Sequence, residues 1–90
     1  MISYYIDLHT KINTMLNYTY DTIRLGQGEK RLESVYVGVS KDIAESKAVL
    51  ACRDGEFLHD YAVLRIETNE VVALCRASML KGLATRAGLL

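Results

Sequence analysis

Over the first two dozen positions, apolar residues recur at helical spacing. At about 100° per residue, Ile2, Tyr5, Leu8, Ile12, Met15, Leu16, Tyr20 and Ile23 share one broad arc. Asp7, Lys11, Thr14, Tyr18 and Asp21 fall opposite. The pattern predicts a helix over 3–25 that stops at Gly26, where glycine can take the left-handed conformation past a helix end. The segment is rich in Thr, Asn and Tyr, mediocre helix formers, so its apolar arc has to dock, most naturally on a sheet.

Residues 26–30, Gly-Gln-Gly-Glu-Lys, read as a turn. From 31 to 40 the period changes to two. Glu33, Val35, Val37 and Val39 point one way, and Leu32, Ser34, Tyr36 and Gly38 the other, which is a strand. Residues 41–54 carry Ser40 as a cap, Asp42 and Glu45 early, Lys47 and Arg53 late, and Gly55 beyond the end, all suited to a helix. The rival is a strand over 47–53 with an Asp54-Gly55 hairpin turn; the composition favours the helix. Residues 57–66 and 71–76 read as a β-hairpin around Glu67-Thr68-Asn69-Glu70. Residues 77–88 read as a final helix, with Ala77, Leu80, Leu83, Ala84 and Ala87 on one side.

The expected architecture is one small α+β domain over residues 1–90. It has a short, mostly antiparallel sheet of three or four strands flanked by an N-terminal and a C-terminal helix. The order is α-β-α-β-β-α, with α-β-β-β-β-α as the alternative. No proline, repeat or low-complexity run marks a linker. So small a sheet leaves a face or an edge open unless something covers it.

Composition narrows the function classes. Half of the 90 residues are hydrophobic, as in an ordinary folded protein. Lys+Arg and Asp+Glu both number 11, so the net charge is zero. That disfavours a dedicated non-specific DNA binder, which needs excess positive charge, and it favours self-association or a partner. The start of the chain reads as no secretory signal, since Asp7 breaks the apolar run. No stretch approaches the apolar length of a membrane helix. With two cysteines, Cys52 and Cys75, the expectation is a cytoplasmic protein with reduced thiols; a Cys52–Cys75 bridge is the alternative. Asn17-Tyr18-Thr19 matches a glycosylation sequon but has no export signal to give it meaning.

Candidate chemistry is sparse. His59 and Asp60 with Cys52 suggest a base, a carboxylate and a nucleophile, but adjacent strand residues point to opposite faces. A zinc site drawn from His9, Cys52, His59 and Cys75 lacks the local spacings that such sites show, and no metal or other cofactor is expected. Gly26-Gln27-Gly28-Glu29-Lys30-Arg31 resembles a phosphate loop only in composition, because a helix is expected before it and a strand after it.

Tyrosine is enriched, with six in the chain. Tyr4, Tyr18, Tyr36 and Tyr61 are the candidate protein-interface residues, because exposed tyrosines give rigid contact area at low entropy cost. From residue 71 on there is no acid, so Arg76, Lys81 and Arg86 with Lys30 and Arg31 form the basic set for a nucleic-acid reading. The leading expectation is a non-enzymatic protein that binds another protein or itself as a homodimer. Such a protein would be an inhibitor, an adaptor or a regulatory accessory protein, including those of mobile elements such as phages. A nucleic-acid-associated regulator using the C-terminal helix comes second, and a small enzyme with its site at a dimer interface third.

Overall fold

The computed structural model describes residues 18–89. Most of the expected first helix, together with Tyr4, His9 and Asn17, lies outside them. Its last part is a correction: Tyr20–Leu25 is a strand, β1. The helical reading failed here because both faces of this strand are covered. Tyr20, Thr22, Ile23 and Leu25 are all buried, so no period of two shows in the sequence, whereas Tyr20 and Ile23 fit a helical arc by chance.

Gln27–Glu29 is a single 3-10 turn, followed by β2 at Arg31–Gly38, α1 at Lys41–Asp54, β3 at Asp60–Arg65, β4 at Glu70–Cys75 and α2 at Ala77–Arg86. The described residues therefore run β-β-α-β-β-α, a small α+β domain of four strands and two helices. All strand pairs are antiparallel, in the order β2-β1-β3-β4. Tyr20 pairs with both Gly38 and Arg65, and Tyr61 with Cys75. The two edges are β2 and β4. The β1–β2 ladder shifts register twice and the β3–β4 ladder once, and such bulges blunt an edge against pairing with another strand.

For 41–54 the helix prevails over the rival strand. Ser40 Oγ accepts the Ile43 N–H at 3.2 Å, and Asp42 and Arg53 sit at the ends that the helix dipole favours. Ala44, Ala48 and Cys52 recur every four residues and are buried against the sheet. These small side chains let the helix backbone approach closely enough for Thr22 Oγ1, itself wholly buried, to donate to the Ala44 carbonyl at 2.9 Å. The helix ends differently from expectation. Gly55 keeps φ −86, and the left-handed residues are Glu56 and Phe57, both at φ 59. The Phe57 N–H then closes on the Cys52 carbonyl at 2.9 Å. Gly26 likewise caps no helix: its φ is −99, and Gly28 makes the turn at φ 70.

The main core fills the space between α1 and one sheet face, from Tyr20, Tyr61, Val63, Ala44, Ala48, Cys52 and Ala77. Ile23, Leu25 and Ala62 form a second small cluster on the opposite face. Among the described residues, no helix is long and apolar enough to cross a membrane.

Candidate functional site

The polar residues of the sheet end gather where β1 finishes and β3 begins. Asp60 Oδ1 accepts the Ala77 N–H at 2.8 Å, and its Oδ2 meets Arg76 Nη1 at 3.1 Å. Arg76 also holds Glu29 Oε2 at 2.8 Å. Beside this chain, Arg24 Nε donates to Glu33 at 2.9 Å and its Nη1 lies 3.3 Å from His59 Nε2. The consequence is mechanical: α2 begins at Ala77 with no capping side chain of its own, and a carboxylate from β3 takes the orphaned N–H.

These contacts engage His59, Asp60 and Cys52, the candidate catalytic trio, with other partners. The His59 ring faces Arg24, and the Asp60 carboxylate is spent on Arg76 and Ala77. Cys52 Sγ donates to the backbone carbonyl of His59 at 3.6 Å, not to its ring. Burial pushes both thiols up, Cys75 to about 11, so neither supplies an appreciable thiolate near neutral pH. Both cysteines are free. Among the described residues, no three His, Cys, Asp or Glu side chains gather as a metal site would require. The glycine turn joins two strands and no helix N-terminus follows it, so it lacks the geometry that cradles phosphate.

The candidate tyrosines separate. Tyr61 is only 6 % exposed, part of the core and not of an open surface. Tyr18 is half-buried with Arg65 stacked on its ring, 4.3 Å from guanidinium carbon to centroid. Tyr36 is half-buried on the α1 side, its ring lying over Gly38, where a Cβ would collide with the phenol. Of the basic candidates, Lys30, Arg31, Lys81 and Arg86 are exposed, whereas Arg76 is held by two carboxylates. Arg76, Lys81 and Arg86 follow one another at five-residue steps, which turns them around the α2 axis.

Exposed apolar residues fall on two surfaces of the described residues. On the sheet face away from α1, Val37 (56 % exposed), Val71 (51 %) and Leu74 (45 %) border the buried Ile23, Leu25 and Ala62. No described helix packs there. On the other face, a groove of about 330 Å³ lies between α1 and α2, over Val63 and Ala73, with Val49 and Met79 on its walls. The sequence pattern alone did not reveal this groove. Its signal was Met79, an apolar residue standing off the side of α2 that carries Ala77.

Comparison of the chain with protein-family models, with curated proteins and with solved structures gave no match in any of the three.

Proposed function

We propose that this is a non-enzymatic protein that works by binding another polypeptide, and that the sheet face opposite α1 is the contact surface. The observation that carries this reading is that half-exposed Val37 on β2 and Val71 and Leu74 on β4 lie on either side of the buried Ile23 and Ala62, with the Asp21–Ser34 pair as the polar part of that face. An apolar patch centred on a sheet loses free energy in water and regains it when another chain covers it. The sheet beneath it is a rigid platform, so little ordering entropy opposes association. The polar residues support the same reading from the other side, since His59, Asp60 and Arg76 are engaged in holding the fold together.

The nucleic-acid reading is weaker because Arg76, one of its five residues, is held by Glu29 and Asp60, and Lys81 and Arg86 point in different directions around α2. The test is substitution of Val37 or Val71 by Lys with the fold checked by circular dichroism. Either variant is expected to keep its secondary structure and to lose the bound polypeptide. A complex that survives both substitutions would refute this surface.

A further inference from the structure

The groove between the helices is a second apolar surface, distinct from the sheet face, and the chain itself carries the element that fits it. Along α2, Ala77 and Leu80 face the body of the protein. Met79, Leu83 and Arg86, at steps of four and three residues, form a separate stripe. Met79 is 65 % and Leu83 49 % exposed. Arg86 ends the stripe and has no acidic partner among the described residues. The groove has the opposite character. Its apolar floor continues along the flank of α1 past Val49, and there it is rimmed by Asp42 and Glu45. Asp42 has no ion pair among the described residues, while Glu45 holds Lys41 at 2.7 Å along the same helix. Lys41 is thus the cation nearest that rim, and Arg76, at the other end of the groove, is held by Glu29 and Asp60.

We infer that a second copy of this chain docks here, α2 of each protomer lying in the α1–α2 groove of the other. Met79 and Leu83 of one copy cover the apolar floor of its partner, and Arg86 meets Asp42 and Glu45 on the rim. One chain supplies both halves of the complementarity, an apolar stripe ending in Arg86 and an apolar groove whose rim carries Asp42 and Glu45. Among the described residues neither Arg86 nor Asp42 has an ion-pair partner, and α2 meets the core through Ala77 and Leu80 on its other side. A two-fold arrangement repeats the contact twice and closes the assembly. This inference names one partner within the protein-binding reading, but it uses the opposite side of the sheet.

Sedimentation velocity of the full chain over a range of concentrations tests it. A reversible dimer is expected, its dissociation constant rising with salt and rising ~10-fold or more for Arg86→Glu and for Asp42→Lys combined with Glu45→Lys. In a mixed dimer of those two variants both repeated contacts are rejoined, one with its charges reversed and the other unchanged. A heterodimer tighter than either variant's own dimer is therefore expected. The Val37→Lys and Val71→Lys substitutions on the far face leave the dimer unchanged. A chain that stays monomeric at every concentration, a dimer indifferent to these charges, or variants that do not rescue one another would each overturn the inference. Because the far-face substitutions are scored separately, a failure here leaves the sheet-face reading standing, and the converse also holds.

Discussion

Asp60 and Ala77 are joined by a hydrogen bond of 2.8 Å from the Ala77 N–H to Asp60 Oδ1, so the first residue of β3 caps the helix that follows β4. The same carboxylate holds Arg76, which reaches on to Glu29 in the turn between β1 and β2. Three segments distant in sequence are thereby tied at one end of the sheet. Asp60→Ala removes the cap and is expected to cost about 1–2 kcal/mol of stability. Asp60→Asn, which keeps an acceptor, is expected to cost less. Urea denaturation measures both, and hydrogen exchange at the Ala77 amide should quicken in the same order.

The stripe of Ala44, Ala48 and Cys52 sets the distance between α1 and the sheet, and the buried bond from Thr22 Oγ1 to the Ala44 carbonyl depends on that distance. Ala48→Leu has no room and should destabilise by about 1–3 kcal/mol. Chemical denaturation gives the number. A loss below a few tenths of a kcal/mol would mean that the helix is not packed as closely as described.

Glu56 and Phe57 both adopt φ 59, a conformation that L-residues enter at a cost. Phe57 also packs on the core, whereas the Glu56 side chain is exposed. Glu56→Gly relieves the left-handed strain but loosens the unfolded chain, and the balance is a gain of about 0.5–1 kcal/mol. A higher melting temperature for this variant is the expected result, and a lower one contradicts it.

The fold holds the Cys75 thiol neutral, with its ionisation raised from 9.0 to about 11, chiefly by burial. A group raised in this way favours the folded state below its ordinary value, and that contribution is lost as pH rises through the folded one. Stability should therefore fall between pH 9 and about 11, and Cys75→Ala should lessen the fall. Alkylation of wild-type Cys75 should be slow at neutral pH and climb with hydroxide across the same interval.

How far the sequence revealed this arrangement varied with the element. The helix at Lys41–Asp54 and the hairpin of β3 and β4 were legible, because a Ser40 cap, ordered end charges and a polar turn at 67–70 agree with their surroundings. β1 was not legible. A central strand buried on both faces loses its alternation, and Tyr20 with Ile23 imitates a helix. The end of α1 misled in another way, since Gly55 had the right identity but Glu56 and Phe57 make the turn. At the candidate surfaces, composition could signal unsatisfied apolar residues but not their location, which depends on the strand order. Tyr61 pairs with Cys75 under the helices, so its ring went to the core instead of an interface.

The central claim is that the sheet face opposite α1 meets another polypeptide. Photo-crosslinking tests it most directly, with a benzophenone amino acid at position 71 and a control at the exposed position 56. The account predicts a discrete covalent adduct to one polypeptide from position 71, lost when Leu74 is also changed to Lys, and none from position 56. Equal labelling from both positions, or no adduct from position 71, would contradict it.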